Sequence, residues 1–257
     1  MELIFLGTGG GRWMTITQLA STAGFRLHEK KNIHIDPGAG AMLRMKLSGI
    51  NPVSTHAVLL SHCHPDHYTD AEVLIEAMTE GMTKKRGILA GSTSTISGAD
   101  GIDAAVSRYH KSMVGSVSEM RADAGSESKI YIGDMQVEAT KAEHSDPASI
   151  GFKFHTTAGI LGYTGDTQYF EEMPKIYRDA EYLIINTIKP AGERIKYHMC
   201  SDDIVKLLTE IKPKKCIITH FGMKMQPVAE KEAKAIKEKT GVETLAAKDG
   251  MRITFDE

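Results

Sequence analysis

Three imidazoles and a carboxylate fall within six residues in His62-Cys63-His64-Pro65-Asp66-His67, directly after the apolar run Ala57-Val58-Leu59-Leu60-Ser61. That is the chemistry of a metal site, because imidazole and carboxylate are common protein ligands of divalent cations. In an extended backbone, residues two apart project to the same side, so His62 and His64 can reach one cation. Asp66 and His67, beyond the turn at Pro65, swing toward a second. One cation needs about three protein ligands and an open position, and a two-metal site needs more, usually with a bridging carboxylate. The chain reads as a dinuclear metalloenzyme.

The remaining ligands must come from other segments. Glu143-His144-Ser145-Asp146 follows the strand-like Met135-Gln136-Val137-Glu138-Ala139-Thr140, Gly165-Asp166-Thr167 follows Ile160-Leu161-Gly162-Tyr163-Thr164, and Thr219-His220-Phe221-Gly222 follows Cys216-Ile217-Ile218. Each lies where an apolar strand gives way to a polar or glycine-rich loop, the place where open sheets present functional groups. Alternation and β-branched content predict strands at 2–6, 22–28, 32–36, 57–61, 87–90, 129–132, 135–141, 150–155, 159–163, 181–186, 215–219 and 251–255. Helical spacing predicts helices over 39–48 and 70–80, one from an N-cap at Ser201 to about Ile211, and one over 227–239 that ends at Thr240-Gly241. The Ser/Thr/Gly-rich stretch from Gly91 to Gly101 reads as a loop. Periodicity alone supports one α/β or α+β domain over 1–257.

The order HxHxDH, then a histidine, then Gly-Asp-Thr, then Thr-His at a strand end resembles the metallo-β-lactamase superfamily, and the resemblance covers nearly the whole chain. It implies an αββα four-layer sandwich, two mixed β-sheets flanked by helices. It also implies one metal on His62, His64 and His144, a second on Asp66, His67 and His220, and Asp166 bridging them. Asp36, in Ile33-His34-Ile35-Asp36-Pro37-Gly38, matches a carboxylate that supports a ligand histidine. Two divalent cations, Zn2+ first and Mn2+ or Fe2+ as alternatives, would lower the pKa of water from near 16 toward about 7 and supply a nucleophile for hydrolysis.

With that ligand set complete, His198 in Lys196-Tyr197-His198-Met199-Cys200-Ser201 is left over. It precedes the helix whose following strand delivers His220, and an unliganded imidazole with a pKa near 6.5 can protonate a departing alkoxide. Its placement is similar to the non-ligand histidine of tRNase Z-like ribonucleases and related phosphodiesterases, and Leu6-Gly7-Thr8-Gly9 also resembles that branch. Asp66 and His198 are therefore the expected catalytic residues. Two departures stand out: the chain lacks the Gly/Pro-rich arm with which tRNase Z grips tRNA, and Asn186 stands where many relatives carry an acid that orients the general acid. A small phosphodiester, or another RNA or nucleotide, is as good a substrate expectation as tRNA.

The Gly9-Gly10-Gly11-Arg12-Trp13 segment is expected to bind substrate, its backbone N–H groups cradling a phosphate, Arg12 clamping charge and Trp13 offering a stacking face. The other reading of it is a hairpin loop. Lys84-Lys85-Arg86 and Lys212-Pro213-Lys214-Lys215 read as solvated surface, and His28, His34, His56, His110 and His155 as structural or surface residues. Cys63, Cys200 and Cys216 form no CxxC pair and read as reduced thiols; Cys63 and Cys216 are expected in packing, and Cys200 lies two residues from His198. With 31 Lys+Arg against 33 Asp+Glu, a net charge of −2 advertises no global nucleic-acid field. The chain opens on a strand rather than a signal and has no apolar run near the roughly 20 residues of a membrane span, so a cytoplasmic protein with no membrane partner is expected. A homodimer is an allowed assembly. The alternative activity is hydrolysis of a carboxylic ester, thioester, lactone or amide, and the minor one a metal-binding redox or scaffold role.

Overall fold

The computed structural model describes residues 1–122 and 125–255, so 123, 124, 256 and 257 of the expected domain lie outside the described residues. In chain order the strands begin with β1 (Glu2–Phe5), β2 (Phe25–His28), β3 (Asn32–Ile35), β4 (Ala57–Leu60), β5 (Arg86–Ser92), β6 (Val114–Met120), β7 (Lys129–Ile132) and β8 (Met135–Lys141). They continue with β9 (Ile150–Thr156), β10 (Gly159–Tyr163), β11 (Tyr182–Lys189), β12 (Met199–Cys200), β13 (Lys215–Thr219), β14 (Glu243–Ala246) and β15 (Arg252–Thr254). One sheet has the order β15-β1-β2-β3-β4-β5-β6, and the other β14-β13-β11-β10-β9-β8-β7 with β12 beside β11. Both are mixed. The first is antiparallel up to β3 and parallel from β3 to β6; the second is antiparallel from β7 to β10 and parallel across β10, β11, β13 and β14.

Side chains alternate across each strand, and this alternation builds the layers. Phe25, Ile33, Ile35 and Leu59 of the first sheet meet Val137, Phe152, Leu161, Ile184 and Ile217 of the second in one central core. Their neighbours Val58 and Leu60 face the other way, against Ala41 and Met45 of helix Ala41–Leu47 and Leu74, Ile75 and Met78 of helix Ala71–Met78. Leu183, Ile185, Cys216 and Ile218 likewise pack outward on Ile204, Leu207 and Leu208 of helix Ser201–Ile211 and Ala233 and Ile236 of helix Ala229–Thr240. The result is the αββα sandwich. Strands buried on both faces need apolar residues at every position, which is why β4 and β13 stand out so plainly in the sequence.

The differences from expectation fall where that signal fades. The edge strands β6 and β14 carry few buried apolar residues and β12 has only two residues, so none of the three is predicted. The expected loop from Gly91 to Gly101 instead continues β5 through Ser92 and then forms the helical turn Thr93–Ile96. Its hydroxyls are buried and satisfy one another, with Ser92 Oγ 2.9 Å from Ser94 Oγ and Thr95 Oγ1 donating to Ser92 O at 2.8 Å. Arg12–Thr17 is a short helix rather than a hairpin loop. Helix Ser201–Ile211 takes its cap from Cys200, one residue before the expected Ser201, with Asp203 Oδ2 accepting from Cys200 N at 3.1 Å. No helix among the described residues is long and apolar enough to cross a membrane.

His34 is buried on the outward face of β3, where its Nε2 donates to Ala23 O at 2.9 Å. Burial pushes its pKa down to about 3. The folded value lies below the unfolded one, so the unfolded chain binds the extra proton; stability from a neutral His34 is complete above about pH 6.5 and is lost as pH falls toward 3, at roughly 1.4 kcal/mol per pH unit. His34→Gln offers an amide N–H in place of the ring N–H and has no titratable group. Between pH 7 and 5, thermal melts of the native chain should lose midpoint faster than those of the variant. Parallel slopes would assign the acid sensitivity elsewhere.

Candidate metal centre

Strand exits place every group of the cluster at one edge of the sandwich. Asp36 follows β3, His62 to His67 follow β4, His144 follows β8, Asp166 follows β10, His198 precedes β12 and His220 follows β13. Asp36 and His220 leave their strands with left-handed backbones, φ of 51° and 61°, and Tyr197 beside His198 has φ of 70°. Such conformations cost non-glycine residues about 1–3 kcal/mol each and persist where the surroundings over-determine them. His62, His67, Asp66, Asp166 and His220 are buried, while His64 and His198 are half-buried and face the opening.

Two groups of donors result. In the first, His64 Nδ1 lies 3.1 Å from His62 Nε2 and 3.0 Å from His144 Nε2. His144 Nδ1 donates to Tyr197 O at 3.0 Å, which leaves its Nε2 as a bare lone pair. Three nitrogens facing one another cannot all be paired by protons; ligands at ~2.0–2.1 Å from one tetrahedral ion stand roughly 3.3 Å apart, close to what is seen. In the second group, His67 Nε2 and His220 Nε2 are 3.2 Å apart, and His220 Nε2 is 3.2 Å from both Asp66 Oδ2 and Asp166 Oδ2. His67 Nδ1 donates to Asp36 Oδ2 at 2.9 Å, so Nε2 is the nitrogen that faces the other donors. Asp166 Oδ2 also lies 3.8 Å from His62 Nε2, 4.0 Å from His144 Nε2 and 3.7 Å from His198 Nδ1, placing one oxygen between the groups. The donor atoms of His62, His64 and His144, and of Asp66, His67, Asp166 and His220, are each close enough together to hold an ion. His144, Asp166 and His198 form a third such grouping. Converging imidazole lone pairs and carboxylates with no thiolate fit a divalent cation.

A model of the Beta-lactamase superfamily domain matches residues 31–221, three quarters of the chain, including every donor just described. This chain belongs to the metallo-β-lactamase superfamily. The uncharacterised protein MJ1374 of Methanocaldococcus jannaschii is 41% identical over 256 residues, 98% of this chain and 94% of that one. Ribonuclease Z of Pyrococcus abyssi is 33% identical over 78 residues, 30% of this chain and 25% of that enzyme. Among solved structures, the metallo-β-lactamase fold protein YhfI of Bacillus subtilis superposes with a TM-score of 0.79 at 19% identity, covering 98% of each chain. The short form of human tRNase Z does so at 0.72 and 16% identity over the whole of both chains. The resemblance to the tRNase Z-like branch thus holds in sequence over part of the chain and in fold over all of it, and the His/Asp cluster is the candidate metal site of a superfamily hydrolase.

Electrostatics of this superfamily site favour a cation. Burial alone would lower the pKa of His67, but the carboxylates of Asp166, Asp66 and Asp36 overcome it and hold the ring well above its ordinary value. Burial would raise Asp66 and Asp166, yet the facing imidazoles of His67 and His220 keep both below the usual carboxylate range. His62, buried and beside His67, is pushed well below its ordinary pKa and offers an unprotonated nitrogen.

The glycine segment departs from expectation. Gly9 N donates to Ser21 O at 2.9 Å, Gly10 N to Phe221 O at 3.1 Å and Gly11 N to Asp66 Oδ2 at 2.7 Å, so these N–H groups are committed and cradle no phosphate. A Cβ on Gly10 would overlap the His220 ring, which makes that glycine a floor for the imidazole. Arg12 and Trp13 do line the cleft beside the cluster, a space of about 750 Å³. Cys63 sits beside Asp146, and burial there pushes its thiol up to about 11, as befits a packing residue. Cys200 is buried and its Sγ faces Asp203. Sequence reasoning assigns no part to Tyr163, and marks Asn186 only as standing where many relatives carry an acid. Asn186 Nδ2 donates to Asp166 Oδ1 at 2.7 Å and lies 3.1 Å from Tyr163 Oη; the only signal was a polar residue ending an apolar strand.

Two measurements follow from this geometry. Metal must displace the proton on His67, so loading the chelator-treated chain with Zn2+ at pH 7 should release about one proton, detectable by calorimetry in buffers of different ionisation enthalpy. No proton release would contradict the charge balance around His67. Gly10→Ala should displace His220 and reduce bound metal by elemental analysis with little loss of secondary structure. Full metal content in that variant would show that His220 is not held in place by Gly10.

Proposed function

We propose that this chain is a phosphodiesterase whose residues would hold two divalent cations, one on His62, His64 and His144 and the other on Asp66, His67 and His220, with Asp166 available to both. Zn2+ suits these nitrogen and oxygen donors best, and Mn2+ or Fe2+ are the alternatives. The observation that carries the reading is His198. It is needed by neither donor group, yet its ring centroid lies 4.9 Å from that of His144 and 5.9 Å from that of His220, at the mouth of the cleft. A reaction with a poor leaving group uses such a spare imidazole.

The cleft supports an anionic substrate. Arg12, Lys189, Lys196 and Lys224 line it together with Trp13 and Tyr197, and Lys196 Nζ lies 4.4 Å from the Tyr197 ring centroid. Cations beside aromatic faces suit a small phosphodiester, a nucleotide or an RNA strand. The partial match to ribonuclease Z points the same way.

A bound divalent pair would supply Lewis acidity and an activated water. The protein's own groups do the rest. Asp36 and the Tyr197 carbonyl fix the tautomers of His67 and His144, and the cleft cations hold the substrate's charge. His198 meets the leaving oxygen. Burial pushes its pKa down to about 4 rather than leaving it near the expected 6.5. An anionic phosphodiester packed against it raises that value again, so protonation is coupled to substrate binding.

His198→Ala should keep its metal and lose roughly 10²–10⁴-fold in kcat on a diester with an alkyl leaving group, the range for a positioned general acid. An aryl diester, whose nitrophenolate departs without a proton, should lose far less. Equal losses at full metal content would remove the acid role, loss of metal would make His198 a ligand, and turnover of esters or lactones alone would move the enzyme to the carboxylic class.

A further inference from the structure

Asn186 is buried in the middle of β11, where its register partner on β13 is Thr219, the residue before His220. Its neighbours fix the direction of every hydrogen bond around it. Asp166 Oδ1 is a carboxylate oxygen and can only accept, so the group 2.7 Å away must be the amide nitrogen. Asp36 Oδ2 likewise only accepts, so the single proton of Tyr163 Oη goes to it, at 2.7 Å. Tyr163 Oη is then left as an acceptor for the second amide hydrogen of Asn186, at 3.1 Å. Asp36 also receives Ser61 N and Ser61 Oγ, both at 2.7 Å, and His67 Nδ1 at 2.9 Å. One continuous path therefore runs from Asp166 through Asn186, Tyr163 and Asp36 to His67. It starts on the second sheet, crosses the core and ends on the first.

On the reading that Asp166 is shared by two cations, we infer that Asn186 and Tyr163 are positioning residues that reserve a single oxygen of Asp166 for that sharing and tie it to His67. A carboxylate free at both oxygens can rotate and chelate one cation. With Oδ1 held by the amide, only Oδ2 is left to face the imidazoles, 3.2 Å from His220 Nε2 and 3.4 Å from His67 Nε2. A carboxylate at position 186 could not do this. It has no proton to give Asp166, and it would be a further buried anion beside Asp166 and Asp36. The carboxamide is thus matched to its place by its two donor hydrogens.

The test uses the full chain and its Asn186→Leu, Tyr163→Phe and combined variants. Stepwise Zn2+ affinities are read by competition with a chromophoric chelator, and melting of the metal-free chain is recorded alongside. Asn186→Leu keeps shape and loses the donor; the weaker of its two affinities should fall about 10–100-fold, the usual scale for losing a ligand's supporting partner, with the tighter unchanged. Tyr163→Phe should act in the same direction and less, and the combined loss should fall short of the product of the two, because both lie on one path. Unchanged affinities in both variants would overturn the inference, as would an equal fall of both affinities tracking a lower melting point of the metal-free chain, which marks a purely structural role. Binding of a single Zn2+ by the unaltered chain would remove the dinuclear reading itself, a result visible before any variant is made.

Discussion

One carboxylate oxygen, Asp166 Oδ2, stands within 4.0 Å of ring nitrogens on five histidines that reach it from the exits of β4, β8 and β13 and from the segment before β12. Like charges cannot be crowded in this way, and neutral imidazoles would leave their lone pairs opposed. Converging lone pairs and carboxylates of this kind are matched by positive charge at their centre. Everything else in the fold answers to that requirement. Parallel strands in both sheets end at the same edge, Asp36 and His220 accept left-handed backbones to turn inward, and Gly10 gives up its side chain so that a ring can lie against it.

Much of this was legible from residue types. The run from His62 to His67, the later His144, Asp166 and His220, and the apolar strands before each of them define both the donors and the edge where they meet, because parallel strands buried on two faces leave an uninterrupted apolar trace. Asp36 was placed by the family resemblance, because Asp-Pro-Gly after an apolar strand is by itself equally the composition of a turn. Edge strands β6 and β14 were not legible, being half polar. Nor was the buried hydroxyl cluster of Ser92, Ser94 and Thr95, whose composition is that of a loop although its members bond one another.

The glycine segment shows why a motif underdetermines its role. Adjacent glycines suit a phosphate cradle and suit close backbone approach equally well, and only the hydrogen-bond partners decide. Here Ser21, Phe221 and Asp66 take the three N–H groups, so the glycines serve the cluster rather than the substrate. Asn186 teaches the converse. Its place in an apolar strand was visible, but which groups its amide meets depends on side-chain directions across a parallel pair, which no local pattern encodes.

The spread of these donors along the chain also orders events during synthesis. His62, His64, Asp66 and His67 leave the ribosome well before His144, Asp166 and His220 exist. The early segment supplies donors to both groups and completes neither, because each group also needs a histidine made later. A chain truncated before β8 therefore holds only part of each donor set, and both sites come into being with the second sheet.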